Sequence, residues 1–331
     1  MTRHILKSNI HTVHKGRFSP LFKPALNIVS GDIVDIETYA GYINFSDIPE
    51  AILTEDLVNI YKKLPYERKL GDGSHLLTGP IYIEDAEPGD LIEIRLIKIE
   101  PSEPIGYNLI LPGTGSLPEE FDYNKLLLIP IDLEQNSVEF PEKSNIRIPL
   151  SPFFGIIGVA TEDTNQSAIP PGKHGGNMDN KELIEGTRVF IPVQVSGGLL
   201  SIGDGHSIQG DGEVNAFALE TSMNGTVQII LHKSMLNFDS PFAETDTHWI
   251  TMGFENTLDD AFKKALLHML ELLTTFYPLT KEEAYRLCSL TADFRITQAV
   301  NLPNKGVHGM IPKSIFSSLP ATNKLIQEWK I

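Results

Sequence analysis

Apolar and polar residues alternate with a period of two through several short segments of the chain. Residues 31–39 place Val34 and Ile36 on one face and Asp35 and Glu37 on the other. Such alternation is typical of a β-strand with one buried face. Similar patterns predict further strands at residues 89–97, 125–131, 188–195 and 226–231.

Two of these segments depart from simple alternation. Residues 125–131 are apolar at nearly every position, which predicts a strand buried on both faces. Pro192 lies within the segment 188–195 and cannot donate a ladder hydrogen bond, so it predicts an edge strand or a bulge.

Helical spacing of apolar residues is concentrated near residues 257–292. Thr257 can cap a helix over residues 258–276, and Thr280 with Glu283 forms a capping box for a second helix. The sequence therefore predicts a β-rich α+β fold with a helical hairpin in this region. No linker interrupts the chain, so we expect a single domain over residues 1–331, with two β subdomains as a variant.

Composition excludes several classes of function. The 331 residues include 27 Lys and Arg against 43 Asp and Glu, a net charge of −16, which argues against nucleic-acid binding. No apolar run approaches the roughly 18 residues of a membrane span, and the N-terminus lacks a signal-peptide pattern, so a cytoplasmic location without membrane association is predicted. The single Cys288 excludes a disulfide framework, and its place on an apolar helix face argues against a thiol nucleophile.

A glycine-rich loop at residues 201–213 concentrates side chains that can bind a cation. In extended backbone Asp204 and His206 point to the same face, with Cα atoms about 6–7 Å apart, and can share one ion. The alternative is a pair of tight turns, which accounts for the Asp and Gly residues but not for His206, Gln209 and Glu213.

Other candidate residues lie outside that loop. A second glycine-rich loop at residues 172–180 contains Asn177 and Asp179, and it can equally be a tight turn. His75 and Glu37 are candidate remote ligands, with a structural or solvated side chain as the alternative for each. Among the remaining histidines, His14 is predicted to be solvated and His308 to lie in a turn.

Long motifs of the chain resemble the acetamidase/formamidase family. They comprise residues 84–90, 171–179 and 203–213, with further support at residues 78–80, 248–253 and 292–298. The resemblance implies a β-sandwich body and hydrolysis of small linear amides, acetamide or formamide, to a carboxylate and ammonia. It also implies a homodimer, since members are typically oligomeric, and some relatives contain zinc or open γ-lactams.

A hydrolase without a serine or cysteine nucleophile needs another way to activate an amide. A metal ion polarises the carbonyl and lowers the pKa of a bound water towards about 7. We predict that Asp204, His206 and His75 bind Zn²⁺, with Glu37 or Asp179 as a further ligand.

The remaining polar residues of the motifs receive roles in catalysis or substrate binding. Glu213 is the first candidate for the general base and Glu220 the second. Asn177, beside Gly176, or Gln209 is predicted to hold the substrate amide or the developing oxyanion.

Two alternatives stay open at this stage. One is a γ-lactam hydrolase with the same machinery. The other is a non-catalytic small-molecule-binding protein whose loops are fastened by Ca²⁺, because Asn177, Asp179, Asp211 and Glu213 offer hard oxygen ligands. Two imidazoles on one ion favour zinc and catalysis, whereas an all-oxygen shell favours a structural ion, and Ca²⁺ is also a candidate for a second, structural ion.

Overall fold

The computed structural model describes residues 1–71, 73–235 and 238–317. Its strands are β1 Arg3–Leu6, β2 Val13–His14, β3 Leu26–Ile28, β4 Ile33–Thr38, β5 Leu77–Ile83, β6 Leu91–Pro101, β7 Ile105–Ile110, β8 Lys125–Pro130, β9 Ser137–Glu139, β10 Arg147–Pro149, β11 Phe153–Gly158, β12 Gly175–Asn177, β13 Arg188–Pro192, β14 Leu200–His206, β15 Met223–His232, β16 Phe242–Glu244, β17 His248–Glu255, β18 Asp293–Gln298 and β19 Lys305–Pro312. Its α-helices are α1 Glu55–Lys63, α2 Leu258–Phe276 and α3 Lys281–Thr291.

Two large sheets form the body of the molecule. The larger has nine strands in the order β1-β4-β15-β6-β13-β16-β17-β19-β18, and the smaller has the order β12-β11-β14-β5-β2 with β3 beside β5. The strands β7 and β8 form a separate hairpin, as do β9 and β10. The β-rich architecture predicted from the alternation is therefore confirmed.

The two sheets share one hydrophobic core. Ile36 and Ile94 of the larger sheet join Ile81, Ile157 and Ile202 of the smaller sheet in one buried cluster. Full burial of each such side chain contributes about 1.5–3 kcal/mol relative to exposure. The sheets consequently pack as a β-sandwich, and residues that project from its strand ends are held on a rigid frame.

The helical hairpin forms where the sequence places it. The Thr257 side chain accepts a hydrogen bond from the backbone N–H of Asp260, and Thr280 with Glu283 completes a capping box. Helix α2 packs against β17 and β19. Cys288 is buried on the inner face of α3, as predicted. None of the helices in the described ranges is long and apolar enough to cross a membrane.

Two strand predictions are wrong in their burial or position. Among the described residues strand β8 pairs with β7 alone. Ile129 packs into a buried cluster with Val138 and Leu150, whereas Leu127 and Leu128 are each 39% exposed, so β8 is not buried on both faces. Strand β13 is central rather than an edge, and Pro192 is its last residue, beyond the part that pairs with β16. The missing N–H of Pro192 therefore breaks no bond to β16. Helix α1, capped by Thr54, was not predicted.

His14, His174 and His308 are buried in the body, although His14 was predicted to be solvated and His308 to lie in a turn. His14 lies in β2 with Nε2 2.8 Å from the Ser201 hydroxyl, and His308 lies in β19. Burial lowers the pKa of His14 to about 3 and those of His174 and His308 to about 4. All three are therefore neutral in the folded protein at pH 5.

We expect this burial to make the fold sensitive to acid. Unfolded histidine has a pKa near 6.5, so between pH 6.5 and 4 the unfolded chain binds protons that the folded chain does not. As the pH is lowered from 6.5 to 4, the free energy of unfolding should decrease by about 1.4 kcal/mol per pH unit for each of these three histidines. Urea unfolding at several pH values measures this dependence. In His14→Gln the free energy of unfolding should change with pH less steeply, by about that amount per pH unit. Equal slopes for the two proteins would contradict the prediction.

Candidate active site

Five ionisable side chains from three parts of the chain meet at one end of the smaller sheet. Asp204 and His206 lie in β14, Asp179 follows β12, and Glu213 and Glu220 come from the segment between β14 and β15. All five are buried and line one cavity of about 30 Å³. This is close to the volume that one water molecule occupies in the liquid, about 30 Å³. We call these five residues the acidic cluster.

Three of the carboxylates in the acidic cluster are carried on left-handed backbone. The φ angle is 46° at Asp179, 59° at Asp204 and 45° at Glu213. Residues with a Cβ disfavour this region, Asp and Asn less than most others. Unusual backbone of this kind concentrates at functional sites. It also means that Asp204 is not in the regular extended conformation that the Asp-x-His spacing suggested.

A glycine makes room for the acidic cluster on the neighbouring strand. The register of β11 and β14 pairs residues 154 with 205 and 156 with 203, which places Gly155 opposite Asp204. A Cβ at Gly155 would lie 2.8 Å from Asp204 Oδ2 and 2.8 Å from His206 Cε1, and closer still to Asp179 Oδ1. Since such distances are shorter than van der Waals contact, the arrangement requires glycine here.

His206 stands between two groups of carboxylates. Its Nε2 is 3.3 Å from Glu220 Oε2 and 3.5 Å from Asp204 Oδ2, whereas its Nδ1 is 3.7 Å from Asp179 Oδ1. Two compact sets of three ligand atoms result, Asp204–His206–Glu220 and Asp179–His206–Glu213, each with all atoms within 4.8 Å of one another. Either set has the residue types and spacing to hold a metal ion.

Hydrogen bonds from neighbouring amides hold the acidic cluster. Gln209 contacts Nδ1 of His206 through its Oε1 at 2.9 Å and donates to the carbonyl oxygen of Asp179 at 2.7 Å. The Asn301 amide donates to a carboxylate oxygen of Asp179 and to the carbonyl oxygen of Asn177. The other oxygen of Asp179, Oδ1, has no hydrogen-bond partner among the described residues, and neither has Oε2 of Glu213.

Burial and mutual repulsion separate the proton affinities of the carboxyl groups. Burial raises the pKa of Asp179 to about 7, with a further contribution from Asp204. Burial, together with Asp179, also raises the pKa of Glu213 well above its usual range. Burial opposes ionisation of Asp204 too, but His75 and His206 outweigh it and lower its pKa to about 2. Burial disfavours the cationic form of His206, yet Glu220 and Asp204 raise its pKa. The acidic cluster thus favours a positive charge on the imidazole of His206 and favours the protonated forms of Asp179 and Glu213.

Two further predicted residues border the cavity. His75 lines it with Nε2 3.9 Å from Asp204 Oδ1, but it belongs to neither compact set of ligand atoms. Asn177 also lines the cavity, and its side-chain Oδ1 is buried without a hydrogen-bond partner. Asn177 therefore lies at the cavity, and its contact with a substrate amide stays a prediction. The described residues bring one imidazole, that of His206, into the compact sets of ligand atoms.

Three predicted residues are not brought to the cavity in the expected way. Glu37 lies on the outward face of β4 and lines a separate depression with Lys98, because alternation turns it away from the core, so it does not belong to this ligand set. Gly176 adopts a φ of 79° and makes room for His174 rather than lining the cavity. Gln209 uses both ends of its amide on the protein and does not contact the cavity.

The oxygen ligands proposed for calcium do not form one set. Asp211 is half-exposed and pairs with Lys181 at 3.0 Å, whereas Asp179 and Glu213 are buried together in the acidic cluster. The alternative of an all-oxygen structural site built from these residues is therefore not supported by the geometry.

Three residues of the site were missed by the sequence reasoning. They are Gly155, Asn301 and Tyr107. The buried ring of Tyr107 lines the cavity, and its hydroxyl donates to the carbonyl oxygen of Gly41. Gly155 and Asn301 act only through neighbours that are distant in sequence. A single glycine or asparagine without a surrounding motif carries no signal by which it could have been identified.

Comparison with known proteins adds to this geometry. The model of the Acetamidase/Formamidase family matches residues 6–166 and 161–318. A formamidase of Methylophilus methylotrophus is 26% identical over 317 residues, which cover 73% of this chain and 77% of that protein. The chain spans between about half and three quarters of the length of the curated relatives that it matches.

Solved structures resemble the whole body of the molecule. The crystal structure of an acetamidase from Bacillus halodurans is 32% identical with a TM-score of 0.80, covering 95% of this chain and 99% of that chain. A γ-lactamase from Delftia acidovorans shares the fold with a TM-score of 0.62 at 22% identity, covering 95% of this chain and 93% of that chain. The family model matches far more than half of the residues of this chain. The chain therefore belongs to the acetamidase/formamidase family.

Proposed function

We propose that this chain is an amidohydrolase that cleaves the C–N bond of small linear amides, such as acetamide or formamide, with the help of Zn²⁺ in the acidic cluster. The observation that carries the proposal is the burial of four carboxyl groups around the single imidazole of His206. Membership of the family, together with relatives named formamidase and acetamidase, supports linear amides as the substrate class.

The donors of the acidic cluster fit a divalent cation. Burying several like charges without a counter-ion costs many kcal/mol, and Asp179 Oδ1 and Glu213 Oε2 have no hydrogen bond to offset that cost. Imidazole and carboxylate are common ligands of zinc. His75 lines the same cavity with Nε2 3.9 Å from Asp204 Oδ1, so a second imidazole borders the ligand atoms. The residues present therefore suit zinc better than calcium.

The protein's own groups account for substrate binding and proton transfer. A bound divalent cation supplies polarisation of the amide carbonyl and a lower pKa for water. Glu213 remains our candidate for the group that takes the proton from water and delivers it to the departing nitrogen, because it lines the cavity and its Oε2 has no hydrogen-bond partner among the described residues. Burial raises the pKa of Glu213, and a bound cation would favour the ionised form that a general base requires. Asn177 Oδ1 can accept a hydrogen bond from the substrate NH₂ group.

Removal of the metal tests this proposal. We expect a chelator to lower ammonia release from acetamide by roughly a hundredfold or more, since a Lewis-acid metal supplies several kcal/mol. Zinc should restore the activity, and elemental analysis of the untreated protein should find about one equivalent. A metal-free protein that is as active as the untreated protein would rule the proposal out. Including 2-pyrrolidone in the substrate panel distinguishes a linear-amide hydrolase from a γ-lactam hydrolase.

The assembly and organisation of the chain are also proposals. The core shared by both sheets supports a single domain. A homodimer follows from the family resemblance, and exposed Leu127 and Leu128 on the β7–β8 hairpin offer apolar surface for a second copy. Light scattering of the purified protein would measure its mass in solution. A cytoplasmic location remains a prediction from the sequence.

A further inference from the structure

The two ligand sets use different ring nitrogens of His206, so they are not equivalent. Asp204 and Glu220 lie nearest to Nε2, whereas Asp179, which forms the second set with Glu213, lies nearest to Nδ1. In a neutral imidazole one nitrogen carries a proton and the other a lone pair. Only the nitrogen with the lone pair can bind a metal. The tautomer of His206 therefore decides which set holds the ion.

The orientation of the Gln209 amide follows from its second partner. Its Nε2 lies 2.7 Å from the carbonyl oxygen of Asp179, which can only accept a hydrogen bond. With the amide reversed, Oε1 would face that oxygen and two acceptors would repel each other. The NH₂ group must then face Asp179, and Oε1 must face Nδ1 of His206 at 2.9 Å.

The orientation of Gln209 determines the proton on His206. Because Oε1 can only accept, Nδ1 of His206 must donate and must carry a proton. We infer that Gln209 is a positioning residue that presents the Nε2 lone pair of His206 to the Asp204–Glu220 side. This inference rests on the proposed metal-dependent function and deepens it. It assigns the metal to Asp204, His206 and Glu220.

The assignment separates the roles of the four carboxyl groups. Asp179 lies beside the protonated nitrogen of His206, so the set that it forms with Glu213 has no imidazole lone pair to bind a metal ion. The unpartnered oxygens of Asp179 and Glu213 are left for water and substrate. Asn301 and the carbonyl contact of Gln209 hold Asp179 in place. One amide thus fixes both the metal-binding nitrogen and the position of the neighbouring carboxyl group.

NMR of the histidine rings tests the inference on the unmodified protein. In ¹⁵N-histidine-labelled protein, with the His206 signals assigned by their loss in His206→Asn, we expect a proton bonded to Nδ1 both without metal and with zinc. Zinc should change the Nε2 shift most. A zinc-bound Nδ1, or an Nδ1 without a proton in the metal-free protein, would overturn the inference. If the wild type binds no zinc, the proposed function fails, while the metal-free spectrum still shows whether Nδ1 of His206 carries a proton.

Two variants of Gln209 separate positioning from packing. Gln209→Leu removes the acceptor and should weaken zinc binding by about 10–100-fold, the usual effect of losing a hydrogen bond to a metal-binding histidine. Gln209→Glu keeps an acceptor towards Nδ1 and should bind zinc more tightly than Gln209→Leu. A matched control is Gln166→Leu. The Gln166 amide donates to the carbonyl oxygen of the neighbouring Ser167 and is not part of the acidic cluster, so this variant should bind zinc as the wild type does. Wild-type affinity in Gln209→Leu, measured by competition with a chromophoric chelator, would overturn the inference.

Discussion

Asp204→Asn is expected to lower kcat/KM for acetamide by roughly a thousandfold, since it removes a charged ligand from the proposed metal site, and a catalytic metal ion supplies several kcal/mol to the transition state. Asparagine suits this position as a test because it tolerates the left-handed φ of 59° that Asp204 adopts. The backbone should therefore be retained and the loss should come from the missing charge. Ammonia release at saturating and limiting zinc measures the effect.

The same substitution should make the metal-free protein less stable. Although burial opposes its ionisation, His75 and His206 lower the pKa of Asp204 to about 2, so its ionised form stabilises the fold at neutral pH, and asparagine lacks that charge. We therefore expect a lower melting temperature for metal-free Asp204→Asn than for metal-free wild type at about pH 7, together with less stabilisation by zinc. The difference between the two melting temperatures should shrink as the pH falls towards about 2, where the carboxyl group of the wild type is protonated.

Asp211→Asn is the matched control for this experiment. Asp211 lies on the same loop but pairs with Lys181 and is half-exposed, so its replacement should leave kcat/KM and zinc affinity close to those of the wild type. If Asp204→Asn hydrolysed acetamide at the wild-type rate, or if the control lost as much activity, the assignment of the acidic cluster as the active site would be wrong.

Gly155→Ala is expected to disrupt the site through a single methyl group. The added carbon would press on Asp179, Asp204 and His206 together, at distances below van der Waals contact. We expect a loss of about 1–3 kcal/mol in the free energy of unfolding, as for other overpacked cores, and a fall in zinc affinity. Acetamide hydrolysis should fall by at least roughly a hundredfold, because displacements near 1 Å cost about that much.

Gly210→Ala provides the comparison for the glycine experiment. A Cβ at Gly210 would meet nothing within 4 Å, so this variant should keep wild-type stability and activity. Urea unfolding, zinc competition and ammonia release on both variants complete the test. Full activity in Gly155→Ala would show that the ligand atoms do not need their observed positions.

The fold was predictable where local rules suffice. The caps at Thr257 and Thr280 and the apolar spacing predict α2 and α3 almost to the residue. Strand β8 was placed correctly but its burial was wrong, because a run of apolar residues does not reveal whether another layer covers it. The histidine at position 14 shows the same limit. Its burial depends on partners such as Ser201, far away in sequence.

Much of the candidate site was predicted from the sequence, because His75, Asn177 and Asp179, from outside the loop of Asp204 and His206, also line the cavity. Spacing within one loop identified Asp204 and His206, which do meet in the structure. Glu37 shows how a carboxylate on a predicted strand can be chosen wrongly when the orientation of its face is unknown. Asn301 completes the site across more than a hundred residues, and only the three-dimensional structure shows that it holds Asp179.

The left-handed backbone at Asp179, Asp204 and Glu213 has a consequence for protein design. The directions of these carboxylates are set by φ angles that an ordinary strand does not offer, so copying the Gly-Asp-Gly-His sequence onto a regular β-hairpin would aim Asp204 elsewhere. A transplant would have to carry β11 with Gly155 as well as β14. The smallest segment that could transfer this arrangement of carboxylates to another protein is therefore the pair of strands β11 and β14 rather than a short sequence motif.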